Sequence, residues 1–199
     1  MLIKTLGVVS LLLLINGCSL HDNPQAKVYD ANRSYYLPYE YNTERFLIQG
    51  YFGMFSHSGY ELDFVMPVGT FILASKAGQV VRVVESEDGN CPFSKDCNAN
   101  FVLIRHSDGT LATYVHIKQN GACVEVGQQV ERGDVIALSG NVGISLLPHL
   151  HLSIIPYKNE NEVPAFADIN QKGSGIPTAG LYYRSANTPK RNFCEEKGK

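Results

Sequence analysis

The chain has 199 residues, 44% apolar and 18% charged, with a formal net charge of −2. Length and composition fit one globular domain with short extensions and exclude a disordered or low-complexity chain. The charge balance gives no reason to expect nucleic acid as a partner.

In chain order, Met1 to Lys4 supplies one positive charge, and Val8 to Ile15 is an apolar run broken only by Ser10. Such a run is shorter than the roughly 20 residues that span a bilayer, and its layout is that of a secretory signal. It ends in Ile15-Asn16-Gly17-Cys18, which resembles the lipobox of bacterial lipoproteins. That resemblance implies a signal peptide over 1–17, lipidation of Cys18, and an exported protein anchored in the outer membrane and facing the periplasm. Residues 18–34 are polar and aperiodic, and are expected to form a tether.

From Tyr35 onward the pattern is that of a folded domain, expected over 35–158. Strands are predicted at Gly69 to Ser75, Gln79 to Val84, Phe101 to His106, Leu111 to Ile117, Gln128 to Arg132, Val135 to Leu138 and His149 to Ile155. Turns fall at Lys76-Ala77-Gly78, Ser107-Asp108-Gly109 and Gly133-Asp134. Short strands separated by Gly and Asp turns, with no sustained helical period, predict an all-β antiparallel sheet or barrel-sandwich. Residues 159–199 hold Pro164, Gly173, Gly175, Pro177 and Gly180, and are expected to wrap the domain as an extension.

Setting Cys18 aside leaves four cysteines, an even number that suggests two disulfides in an exported chain. Three pairings are possible. Cys91 and Cys97 enclose a short polar loop and form the natural local pair, which leaves Cys123 with Cys194. A structural zinc site built from these thiols is the rival reading.

The chemistry concentrates on histidine. In Pro148-His149-Leu150-His151, residues i and i+2 of a strand share a face. Each imidazole carries a polar nitrogen that needs a partner, so the pair is costly as core filling and well suited to a metal. His57 and Asp63 offer a nitrogen and a carboxylate, both of which zinc accepts; a catalytic zinc keeps three protein ligands and an open position. Fully extended, six residues would separate the two by about 20 Å, so the segment must turn, and Ser58-Gly59 permits that. His116 stands at the end of Tyr114-Val115-His116.

Taken in order, Asp63-Phe64, Pro67-Val68-Gly69-Thr70, Ala77-Gly78-Gln79-Val80, Tyr114-Val115-His116-Ile117, Gly127-Gln128-Gln129-Val130, Ser139-Gly140-Asn141-Val142-Gly143 and Pro148-His149-Leu150-His151 resemble the lysostaphin-type, or LytM-like, zinc metallopeptidases. The resemblance covers roughly residues 50 to 156, about half the chain. It implies a LytM-type β core with long loops, zinc held by His57, Asp63 and His151, and catalytic roles for His116 and His149 as non-ligands. It also implies an endopeptidase cutting peptide cross-links of peptidoglycan. The common family spacing is His-x-x-x-Asp. Here Gly59 holds that position, and Ser56-His57-Ser58-Gly59 is similar to the longer lead of some members. The alternative within the family is a non-catalytic lipoprotein that activates another wall hydrolase.

Outside the family, Asp96-Cys97 faintly resembles exported cysteine peptidases, but Asn98-Ala99 follows where Ser-Gly is expected. Val126 to Gly140 resembles a biotinyl- or lipoyl-carrier half-repeat but lacks a lysine in the exposed hairpin.

Overall fold

The structure is a computed structural model that describes residues 27–28, 35–53, 57–94, 96–156, 162–169 and 175–199. Cys18 and the expected signal segment lie outside the described residues, as does most of the expected tether.

The described chain is almost entirely β. In chain order the strands are β1 (Lys27–Val28), β2 (Glu44–Gln49), β3 (Glu61–Val65), β4 (Phe71–Leu73), β5 (Gly78–Val84), β6 (Phe101–Arg105) and β7 (Leu111–Val115). There follow β8 (Ile117–Ala122), β9 (Gln129–Val130), β10 (Val135–Ser139), β11 (His149–Ile155), β12 (Glu162–Val163) and β13 (Tyr182–Arg184). A single turn of helix, α1 (Phe193–Glu196), ends the fold.

Eight strands form one antiparallel sheet in the order β13-β2-β3-β11-β7-β6-β5-β9, and β4-β10-β8 form a second sheet. The core follows from the two-residue period of the strands. Leu62 and Phe64 on β3, Leu150 and Leu152 on β11, and Ala112 and Tyr114 on β7 are fully buried. They join Ile72, Ala137, Ile117 and Ala122 of the second sheet in one cluster. The buried phenol of Tyr114 is satisfied by accepting from Ser75 N at 2.8 Å.

The alternate residues of β3 and β11 face the other way, and that face carries the site. The β6–β7 hairpin closes as predicted, with Gly109 at φ +84° and His106 N donating to Thr110 O at 2.9 Å. The strand expected over Leu111 to Ile117 is instead broken. His116 sits at φ +63°, between β7 in the large sheet and β8 in the small one. A left-handed residue cannot continue a pleat, so the chain changes sheets there.

The tail is more integral than a wrap. β13 supplies an edge strand to the large sheet. Asp134, fully buried, accepts from Arg191 Nε at 3.2 Å and pairs with its Nη2. The disulfides are Cys91–Cys97 and Cys123–Cys194, and the second ties α1 to the residue that follows β8.

Candidate metal centre and its groove

Strand register brings the sequence-predicted residues together. β11 runs antiparallel between β3 and β7, with His151 directly opposite Asp63 on one side and Val115 on the other. Directly opposed residues of an antiparallel pair hold their Cβ atoms about 5 Å apart, so Asp63 and His151 must meet. His149, two residues earlier, presents its ring on the same face. His57 reaches the same point because the chain turns over 57–60 before entering β3.

The contacts are short. His57 Nε2 lies 3.0 Å from Asp63 Oδ2, His151 Nδ1 lies 2.9 Å from Asp63 Oδ1, and His149 Nε2 lies 3.6 Å from Asp63 Oδ1. One ligand atom each from His57, Asp63 and His151 falls within 4.8 Å of the others. Zinc–nitrogen and zinc–oxygen bonds of about 2.0–2.2 Å can be made from donors so spaced. The residues fit a divalent metal in a second respect. His57 Nε2 is buried and, among the described residues, makes no hydrogen bond of good geometry, although Asp63 Oδ2 lies 3.0 Å away. A buried unpaired nitrogen is costly unless something else accepts its lone pair.

His57 is oriented from behind by donating from Nδ1 to Gly50 O at 2.9 Å. A backbone carbonyl that takes the Nδ1 proton leaves Nε2 as the free donor atom. Burial works against a charged His57, but the closeness and negative charge of the Asp63 carboxylate outweigh it and raise its pKa. Burial likewise opposes ionisation of Asp63, yet the hydrogen bond from His151 and the close approach of His57 hold its carboxyl well below the usual range.

His116 and His149 form a second pair beside the first, with ring centroids 4.7 Å apart. His116 Nδ1 donates to Val142 O at 2.7 Å. His149 Nδ1 donates to Leu147 O at 2.8 Å, with Ser145 Oγ at 3.1 Å. Both rings therefore turn Nε2 away from these carbonyls. Burial, helped by the neighbouring His149, pulls the His116 pKa down to about 4, so its ring is neutral near pH 7. Histidine at φ +63° is a sparsely populated conformation, and such residues concentrate at functional sites.

A groove opens over Asp63, His116, His149 and His151. Its walls include Ile48 and Gln49 of β2, Pro92 of the disulfide loop, and Ile144 to Leu147. The two loops are pinned to one another. Asn90 Nδ2 donates to Asn141 O and Ser145 O at 2.7 and 2.9 Å, and Cys91 N donates to Gly143 O at 3.0 Å. Ser145 and Asn90 carry no motif that sequence reasoning singled out. Their part in the site depends on loops that meet only in the fold.

Residues 56–164 match the pattern of peptidase family M23. An uncharacterised metalloprotease of Buchnera aphidicola is 35% identical over 102 residues, which are 51% of this chain and 24% of that protein. The peptidoglycan DD-endopeptidase ShyA of Vibrio cholerae is 37% identical over 99 residues, 50% of this chain and 20% of that protein. The chain thus spans only a fifth to a quarter of the length of these curated relatives. Among solved structures, the catalytic domain of lysostaphin from Staphylococcus simulans is similar at a TM-score of 0.45 and 25% identity, over 60% of this chain and 84% of that one.

Proposed function

The chain belongs to peptidase family M23, and from that premise we propose that it is a zinc-dependent endopeptidase cutting the peptide cross-links of peptidoglycan. The observation that carries the reading is the convergence of His57, Asp63 and His151 beneath a groove that also holds two further imidazoles. In this reading those three side chains are the zinc ligands, and His116 and His149 are the catalytic pair.

Bound zinc supplies a Lewis acid that polarises a peptide carbonyl and lowers the pKa of water. The protein supplies proton handling. Each ring of the His116–His149 pair has its Nδ1 proton committed to a carbonyl, so its Nε2 is an acceptor. A neutral Nε2 takes the proton of the attacking water and then becomes a donor. It can next hydrogen-bond the developing oxyanion or protonate the leaving amine. The groove supplies position, since its walls are aliphatic at Ile48, Pro92, Ile144 and Leu146 and no lysine or arginine lines it among the described residues. An internal stretch of peptide suits such walls, because nothing there would pair with a terminal carboxylate.

The place of action is part of the proposal. The signal-like segment before Cys18 supports export and a lipid anchor, which would set the enzyme against the cell wall from the periplasmic side.

Metal analysis of the purified full chain, run alongside digestion of purified peptidoglycan, tests the reading. About one zinc per chain and release of uncross-linked peptides are expected. Metal-free protein that leaves the wall intact but stimulates a separate amidase would overturn it in favour of the activator.

A further inference from the structure

The site face of the sheet continues past the groove onto surface that the hydrolytic chemistry does not use. The β13–β2 register sets Tyr182 opposite Phe46 and Arg184 opposite Glu44. Leu47 and Tyr183 are buried in the core. Phe46 and Tyr182, their alternates, therefore face the other way. Leu47 pairs with Phe64 and Gln49 with Asp63, which places Phe46 on the face that carries Asp63.

Tyr182 is 68% exposed and Ile48 41% exposed, and the Phe46 and Tyr182 ring centroids lie 5.1 Å apart. Ile48 also lines the groove beside Asp63 and His151. Ile48 at the groove and the Phe46–Tyr182 ring pair thus place apolar side chains on β2 and β13, on the side of the sheet that carries Asp63. One end of this surface is polar: Arg184 donates from Nε and Nη2 to Glu44 Oε1 at 3.1 and 3.0 Å and from Nη1 to Asn42 Oδ1 at 3.1 Å.

Contiguous exposed apolar surface beside a site marks a binding surface. Its shape narrows the occupant. An aliphatic peptide side chain is best held in a pocket, whereas this is one exposed ring, Tyr182, backed by the half-buried ring of Phe46, with hydrogen-bonding groups at one end. A pyranose ring has the complementary build: an apolar C–H face for the ring of Tyr182, and hydroxyl and amide groups at its rim for Arg184, Glu44 and Asn42. We propose that Phe46 and Tyr182 form a carbohydrate subsite that holds an N-acetylated amino sugar of the glycan to which the substrate peptide is attached.

The spacing is consistent with that occupant. Phe46 and Gln49 lie three steps apart along β2, at most about 10 Å at strand rise. About three extended peptide residues bridge that distance between the bond cut and the sugar. The naming of the glycan rests on the proposed peptidoglycan activity, but the subsite itself does not.

The test has two arms. In the first, the full chain is titrated with a soluble N-acetylglucosamine oligomer and followed by NMR, which needs no peptidase activity. Saturable shifts are expected, with affinity about five- to tenfold weaker in Tyr182→Ala and retained in Tyr182→Phe. Thermal melting confirms that the variants are folded. In the second arm, KM is compared for a sugar-bearing cross-linked peptide and for the same peptide without sugar. The wild type should favour the first, and in Tyr182→Ala the ratio should fall to about one. No binding of the oligomer, or equal binding by wild type and Tyr182→Ala, overturns the subsite. Oligomer binding without cleavage of either peptide would sink the peptidase reading and leave the subsite standing.

Discussion

Ser145 Oγ lies 3.1 Å from His149 Nδ1 and is itself buried, 3% exposed, with Asn141 Oδ1 at 2.7 Å and Leu147 O at 2.8 Å. Its hydroxyl sits where it fixes both the loop that ends at Pro148 and the ring that follows. Ser145→Ala removes that hold and leaves Leu147 O as the one partner of Nδ1 among the described residues. A net hydrogen bond is worth about 1 kcal/mol, so kcat should fall about five- to tenfold with KM little changed. Ser145→Thr, which keeps the hydroxyl, should recover most of the loss. Steady-state kinetics on a cross-linked peptide would show this, and a change confined to KM would contradict a positioning role.

The metal assignment separates two histidines only two residues apart. His151→Ala and Asp63→Ala should lose zinc on dialysis together with all activity. His149→Ala should retain zinc and lose about 10²- to 10⁴-fold in turnover, the range for a general acid–base group. Metal analysis and kinetics on the same preparations decide it. Equal zinc loss in all three variants would remove the distinction between ligand and proton carrier.

Gly140 lies against the backbone that turns at the left-handed His116. A Cβ on Gly140 would come within 2.6 Å of Lys118 N and 2.8 Å of His116 O. No rotamer relieves contacts with backbone. Gly140→Ala should therefore shift the β7–β8 junction, costing about 1–3 kcal/mol in stability as overpacking does, and it should lower kcat while zinc stays bound. Chemical denaturation together with metal content is the measurement, and an unchanged midpoint would mean that the junction yields freely.

How much of this was legible in the sequence depends on whether residues signal locally or only through pairing. His151 and its strand were readable because period-two alternation and the family motif coincide there, whereas Asp63 was readable from the motif alone and its strand β3 was not predicted. β2 was not. In Phe46-Leu47-Ile48 three apolar residues run together, and only Leu47 is buried. The bulge opposite β3 and the exposed strip beyond it break the alternation that would have announced a strand. The break at His116 was invisible for another reason: glycine usually marks a left-handed residue, and here histidine occupies it. The disulfide pairing followed from loop length, but the part of Asn90 in joining two loops could not.

The Cys91–Cys97 loop carries Pro92 into the groove wall and Phe93 onto the surface, 92% exposed. Opening it by the double change Cys91→Ser and Cys97→Ser frees a short loop, which costs at most about 2 kcal/mol by loop-closure entropy. The wall should loosen more than the fold. KM for a cross-linked peptide should rise several-fold while the melting temperature moves by only a few degrees. A melting curve and a KM both identical to those of the wild type would mean that Asn90 and Cys91 N hold the loop without the bridge.

Acid should unfold the protein partly through a histidine far from the chemistry. His106 is 2% exposed; its Nδ1 donates to Ala77 O at 2.8 Å, and among the described residues Nε2 has no hydrogen-bond partner. Burial brings its pKa down to about 4, the neighbouring Lys76 adds to the fall, and Asp108 opposes it. An unfolded chain has the ordinary value near 6.5. Between those values the unfolded state binds a proton that the folded state refuses. The stabilisation is therefore full above about pH 6.5 and drains away as pH drops towards 4, by up to about 3 kcal/mol. His106→Gln has no such proton to gain. Its stability at pH 7 should be lower, since the ring contact with Tyr35 at 5.4 Å is lost. Its urea midpoint should nonetheless decline less than that of the wild type between pH 7 and pH 4.5. Parallel declines in the two proteins would assign the acid sensitivity to other groups, with His116 first among them because burial depresses its folded-state pKa to about 4 as well.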